Sequence, residues 1–259
     1  MDEPAPLLAM KGITKRFGAV EALVDVDFEV YAGEVVALVG DNGAGKSTLI
    51  KAVSGIQPAD AGAIWFDGRP ATIRTPADAH RLGIATVYQD LALCDNLDLV
   101  ANLFLGGERV QRGIGRATRA LDEPAMEHKA LELLDALGVT TVSSVRKAVG
   151  ALSGGQRQSV AIARSLLGDP RLVILDEPTA ALGVVQTQQV LDLIGRLKDR
   201  GLGVVVISHN LDNVFHVADR IVVLRLGRRV ASSDRRSTSR AEVVAAITSA
   251  DAADERAAA

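Results

Sequence analysis

The sequence is short of cysteine, of long apolar runs and of charge of one sign, and each shortage excludes something. One cysteine, Cys94, rules out an internal disulfide and fits a reducing compartment, where a lone thiol reads as a small core residue. No apolar run approaches the roughly 18 residues of a membrane-spanning helix, so any work at a membrane is expected from its surface, through a partner. The N-terminus, MDEPAPLLAMKG, is acidic and has no long apolar region, which reads as no signal peptide. With 29 Lys and Arg against 32 Asp and Glu, interspersed, the net charge is −3. That balance lacks the basic face a nucleic-acid partner requires, so none is expected.

What is present is enough to build a large core. The chain has 259 residues, 48% hydrophobic, with 24 glycines, a composition that suits an α/β protein. Leu7–Ile13 and Leu23–Val30 read as strands. In the second, Val24, Val26, Phe28 and Val30 alternate with Asp25, Asp27 and Glu29, the period of a half-buried strand. Ala63–Phe66 and Ala71–Ile73 flank the turn pair Asp67–Gly68, and Thr75–Pro76 opens a short helix before the strand Ile84–Tyr88. The pattern is then helical to about Gly168, with helices at Pro124–Leu137 and Gln156–Leu167. Buried strands follow at Arg171–Leu175 and Val204–Ser208, separated by an amphipathic helix, Gln186–Arg200. Ile221–Leu226 and Arg228–Ala231 read as a hairpin, and Ser239 to Glu242 has the spacing of a capping box. The tail, DAADERAAA, reads as frayed.

Gly40–Thr48, GDNGAGKST, is the stretch around which the rest is organised. It follows the apolar run Val35–Val39 and leads into Leu49–Val53, giving strand, glycine-rich loop and helix in the order a phosphate-binding loop needs. Gly40, Gly43 and Gly45 permit backbone angles that a side chain hinders. Backbone N–H groups from Asp41, Asn42, Ala44 and Thr48 can then line an anion nest with a helix N-terminus behind it. Lys46 supplies a full charge for the β- and γ-phosphates, and Ser47 a hydroxyl for Mg²⁺.

Asp176 ends the apolar strand LVILD, the usual position for ligand contacts in a parallel sheet. A carboxylate there can hold a phosphate-bound Mg²⁺, and Glu177 beside it can orient or deprotonate an attacking water. Leu152–Gln156, LSGGQ, is a second glycine-rich element just before a long helix. Alone it is weak, because Ser-Gly-Gly is also linker composition.

Taken together, these elements make the chain resemble the ATP-binding subunits of ABC transporters over nearly its whole length. Five motifs match in order: Walker A at Gly40–Thr48, the Q-loop residue Gln89, the signature Leu152–Gln156, Walker B ending in Asp176–Glu177, and the switch histidine His209. The resemblance implies an α/β P-loop ATPase core with a mixed sheet, an antiparallel β subdomain and a helical insertion. It implies one nucleotide-binding domain over residues 1–250, with core segments 1–90 and 169–250, a helical subdomain at about 91–168 and a flexible tail at 251–259. It further implies ATP and Mg²⁺ as cofactors, with Phe17 stacking on adenine and Ser47, Gln89 and Asp176 on the metal side. Glu177, His209 and Gln89 become the catalytic set. Ser153, Gly154, Gly155 and Gln156 reach the nucleotide of a second subunit packed head to tail, either another copy of this chain or a different ATPase subunit.

The Walker A flank, the run VYQDLALCDNLDLVANLFLG and the loop EPTAALGV are similar to ATPases of monosaccharide importers of the ribose, xylose or fructose type. That resemblance implies permease subunits, an extracytoplasmic solute-binding protein and a peripheral place on the cytoplasmic face of the membrane. One position departs from the broader family: Gly183 stands where an aspartate is usual, which puts coupling between the two sites through that carboxylate in doubt. Importers of amino acids or nucleosides use the same motor, and non-transport ABC ATPases are the other class. The repair type of the latter needs a long coiled coil for which this chain has no room. His80, His128 and His216 read as ordinary helix or surface residues.

Overall fold

The computed structural model describes residues 5–111, 120–139 and 144–248. The tail at 251–259 lies outside them. The described chain forms two compact units, one of residues up to Gln89, Gly168–Pro178 and Ile194 onward, the other of Asp90–Leu167 and Thr179–Leu193.

In the first unit, β1 (Leu8–Phe17), β2 (Val20–Val30), β4 (Ala61–Phe66) and β5 (Arg69–Ala71) form an antiparallel sheet in the order β2-β1-β4-β5. β1 runs beyond the expected Ile13 as far as Phe17. In β2 the alternation holds for Val26, Phe28 and Val30 but fails at Val24, because Asp25 is a bulge residue with φ 52. The extra residue shifts the phase, so Leu23 is fully buried in place of Val24.

The second sheet has the order β10-β9-β3-β8-β7-β6. Its members are β3 (Val35–Val39), β6 (Ile84–Val87), β7 (Leu172–Asp176), β8 (Gly203–Ile207), β9 (Arg220–Arg225) and β10 (Arg228–Asp234), all parallel except β10. β3 is sealed on both faces. Val36 and Leu38 join a core shared with the antiparallel sheet and with α1 (Lys46–Val53), while Ala37 and Val39 face α7 (Leu211–Val217) and α8 (Arg240–Thr248). This double burial explains why β3, β7 and β8 read as continuous apolar runs.

The strands are tied down by polar contacts at the other end of the sheet. Arg220 grips Glu34 with two nitrogens, at 2.7 and 3.0 Å. Asp219 accepts from the Val35 N–H and pairs with Lys198. α2 (Pro76–Arg81) is capped by Thr75 and Asp78 reciprocally, and α8 by Ser239 and Glu242, as the spacings predict.

The second unit contains α3 (Leu99–Phe104), α4 (Glu123–Ala136) and α5 (Gly154–Ser165), with α3 packed on the other two. α6 (Val184–Asp199) begins in this unit and ends in the first. Met126, Ala130, Leu133, Leu134 and Leu137 bury the expected face of α4. Asn102 sits fully buried within the apolar helix LVANLF. Its amide accepts from the Cys94 N–H at 2.7 Å and donates to the carbonyls of Cys94, Leu97 and Asp98, knotting the turn ahead of α3. Arg164 holds the preceding carbonyls of Leu91 and Ala92 at 2.7 and 2.8 Å, and burial lowers its pKa.

Candidate nucleotide site

The strand order does most of the assembly. Adjacent parallel strands β6, β7, β8 and β3 deliver Gln89, Asp176 with Glu177, His209 and the P-loop from their carboxyl ends. Residues spread over more than a hundred positions thus emerge along one edge of the sheet, where ligands of open α/β sheets are held.

The P-loop is shaped by contacts that only glycine allows. Gly40 has φ 148, and a Cβ there would stand 2.1 Å from the Leu224 carbonyl oxygen. Gly45, the N-cap of α1, has φ 103, and a Cβ would meet the Ala22 oxygen at 2.7 Å. Gly43 faces open space, so its glycine answers to its φ of 81. Ala44 is buried, whereas Asp41, Asn42, Gly43 and Ser47 are exposed and Thr48 is half-buried. Lys46 Nζ donates to the carbonyls of Gly40 and Asp41 at 2.7 and 2.9 Å, curling back over the loop. Burial lowers the Lys46 pKa, opposed by Glu177, Asp41 and Asp176.

Asp176 shows the converse shift. Burial raises its carboxyl pKa, the neighbouring Glu177 raises it further, and Lys46 and Lys51 oppose both. A partly buried carboxylate beside a second one is poorly compensated until a cation arrives. Glu177 adopts a left-handed backbone, φ 49, with its N–H bonded to the Ile207 carbonyl at 3.0 Å. Its Oε1 lies 2.9 Å from Nδ1 of His209, whose side chain is otherwise largely exposed. Gln89 is exposed just beyond β6. The preceding Tyr88 donates its hydroxyl to Ser54 at the end of α1, at 2.9 Å, an anchor between the Gln89 strand and the P-loop helix that sequence reasoning missed.

Phe17 ends β1 and is 43% exposed, so it is not a core aromatic. Lys15 Nζ stands 5.6 Å from the ring centroid. In the second unit, α5 starts at Gly154 rather than Gln156, because Ser153 and Gln156 form a reciprocal capping box. The two glycines therefore lie in the first helical turn. A Cβ on Gly155 would stand 2.9 Å from Gln186 Cβ, and one on Gly154 would stand 3.0 Å from Leu182 Cδ2. Ser153 remains exposed at the helix N-terminus.

The apolar stretch Leu91–Gly106 is mostly interior. Leu99, Val100, Leu103 and Phe104 are buried, Leu91, Leu93 and Leu97 are half-buried, and Leu105 is exposed. His80 packs beneath Gly168 and His128 pairs with Glu132 on the surface of α4. Among the described residues no group of three or more His, Cys, Asp or Glu side chains could hold a metal ion, and no helix is long and apolar enough to cross a membrane.

A P-loop of this geometry, followed at the neighbouring strand ends by two carboxylates and a histidine, defines an α/β nucleotide-binding ATPase. The ABC transporter family profile matches residues 23–180. The fructose import ATP-binding protein FrcA of Rhizobium meliloti is 48% identical over 246 residues, 95% of each chain. The xylose/arabinose import ATP-binding protein XylG of Sulfolobus acidocaldarius is 43% identical over 94% of each. The ribose import ATP-binding protein RbsA 1 of Rubrobacter xylanophilus is 47% identical over 87% of this chain and 44% of its own length. Among solved structures, an ATP-binding cassette of an ABC transporter in its ADP conformation superposes with a TM-score of 0.80 at 26% identity, covering 99% of this chain and all of that one. A nucleotide-free ATP-binding cassette gives 0.74 at 28%, covering 89% and 92%. The chain belongs to the ABC transporter family, as one of its ATP-binding, ATP-hydrolysing proteins.

Proposed function

We propose that this chain is the ATPase subunit that energises uptake of a monosaccharide through a separate membrane permease. The observation that carries the reading is the convergence of the P-loop, Asp176, Glu177 and His209 on one sheet edge, in a chain whose near full-length relatives are named for fructose and xylose/arabinose import.

In this reading Gly40–Thr48 wraps the triphosphate, and Lys46 exchanges its two loop carbonyls for phosphate oxygens. Phe17 receives the adenine ring. Ser47, Asp176 and Gln89 are the oxygen donors for Mg²⁺, which prefers a few protein oxygens completed by phosphates and water. The raised pKa of Asp176 fits that role, since a bound cation relieves both its burial and its repulsion from Glu177. When bound, the ion supplies charge neutralisation at the phosphate oxygens. Glu177 orients the attacking water and takes its proton, while His209 holds the carboxylate and senses the γ-phosphate. Ser153–Gln156 present a helix N-terminus to the nucleotide of a second ATPase subunit, and the unit that carries them faces the permease. A solute-binding protein outside the membrane completes the system, and this chain sits at the membrane's cytoplasmic face. No residue here meets the sugar.

Deletion of the chain tests the reading. Uptake of one radiolabelled monosaccharide from a panel of fructose, ribose and xylose should be lost while amino-acid and nucleoside uptake persist. Unchanged uptake of every sugar, with loss of another solute, would remove the sugar assignment and leave the ATPase in place.

A further inference from the structure

The β9–β10 turn contains an anomaly. Leu226 has φ 46 and is 75% exposed. Among the described residues it is the one large apolar side chain in the left-handed region; the other non-glycine residues there are Asp, Ala and Glu. Asparagine or glycine would relax this turn, whereas leucine adds strain and exposes an apolar surface.

The turn lies against the P-loop. Gly227 N–H donates to the Ala44 carbonyl at 3.1 Å, and Val24 N–H donates to the Gly227 carbonyl at 2.8 Å. A Cβ on Gly227 would strike the Ala22 oxygen at 2.9 Å, and one on Gly45 would stand 3.5 Å from Gly227 Cα. Ala22 is two residues along β2 from Val20, which pairs with Phe17 and is 64% exposed. Phe17, Val20 and Leu226 are thus three exposed apolar residues on the segments that adjoin the P-loop through Ala22 and Gly227.

The β9–β10 turn is opposite the acids. β9 flanks β3 on one side, while β8 and β7, which carry His209, Glu177 and Asp176, flank it on the other. A triphosphate lying along the loop with its γ end toward the acids sends its base toward β2 and β9. We propose that Leu226 is a specificity residue, a second apolar wall for the adenine base set opposite the Phe17 ring. The proposal rests on the reading that Phe17 receives adenine. It accounts for a strained leucine in a turn that would fold better without it: the side chain is covered only when the nucleotide is bound.

The test is calorimetric titration of the full chain and of Leu226→Asn and Phe17→Ala variants with ATP and with inorganic tripolyphosphate, which has no base. Leu226→Asn should melt at or above the parent temperature, because asparagine tolerates the left-handed turn. It should bind ATP roughly three- to tenfold more weakly and tripolyphosphate as tightly as the parent. Phe17→Ala should show the same split. If Phe17→Ala loses ATP affinity and Leu226→Asn does not, Leu226 is not a wall of the base site and the Phe17 reading stands. If neither variant changes ATP binding, the base lies elsewhere and the proposal falls with that reading. Equal weakening of ATP and tripolyphosphate by Leu226→Asn would mean a disturbed P-loop and would likewise overturn it.

Discussion

Glu177 Oε1 and His209 Nδ1 lie 2.9 Å apart, a half-buried carboxylate held by an exposed imidazole from the end of the next strand of the sheet. The contact fixes the carboxylate while the histidine keeps a face open to whatever enters the site.

Glu177→Gln retains the shape of this pair and removes the proposed base. Turnover should fall by about 10²–10⁴ with ATP binding retained. An ATP-bound dimer should then accumulate on size exclusion. Near-normal phosphate release by the variant would assign the water to another group.

Asp176→Asn should separate stability from activity. The folded pKa of Asp176 lies above its ordinary value, so its charged form is disfavoured in the folded chain, and stability is lost as pH rises through that range. Without nucleotide, the variant should therefore melt higher than the parent at neutral pH, and the gap should close as both proteins are acidified toward the ordinary carboxylate pKa. Its ATPase activity should be lost. A lower melting temperature at neutral pH would show that the carboxylate is already compensated in the empty site.

Asn102→Ala removes four hydrogen bonds and leaves the Cys94 N–H without its acceptor, while the carbonyls of Cys94, Leu97 and Asp98 keep the backbone N–H groups of Leu97, Val149 and Asn102. The expected cost is about 2–3 kcal/mol. Hydrogen exchange should accelerate at Cys94, where the amide proton is held by the side chain being deleted. Unchanged protection there would mean that the turn is held by its backbone alone.

Gly155 of α5, which packs on the start of α6, and Gly183, just before α6, should respond differently to alanine. At Gly155 a Cβ would stand 2.9 Å from Gln186 Cβ, so Gly155→Ala must displace the beginning of α6 and lower the melting temperature. At Gly183 a Cβ meets nothing within 4 Å and the φ is ordinary, so Gly183→Ala should fold as well as the parent. Similar melting curves for the two variants would contradict this packing.

Most of the core was legible because buried parallel strands and capped helices leave local signatures. Val35–Val39, Leu172–Leu175 and Val204–Ile207 read as apolar runs, and Thr75 with Asp78 as a helix start, from neighbouring residues alone. The candidate site was read through the family's motifs, which specify types and order. What escaped were features decided across the chain. The Asp25 bulge moves burial from Val24 to Leu23. The capping box at Ser153 is by contrast local, but the two glycines inside it read as a loop and hid the helix start. Tyr88 and Ser54 are 34 positions apart, and nothing in either segment announces their bond. Asn102 did leave a signal, a lone amide inside the apolar run LVANLF, and such a residue reads correctly only when one asks which carbonyls it must satisfy. Leu226 was hidden for the opposite reason: an apolar residue next to a strand looks ordinary until its backbone angle is known.

β3 has no free face: Val36 and Leu38 are packed on one side, Ala37 and Val39 on the other. A strand enclosed in this way has almost no room to drift, since a methyl group gained or lost on either side displaces a different layer of the molecule. Change in such a protein is therefore confined to its periphery: outer surfaces can be altered while the enclosed strand stays as it is.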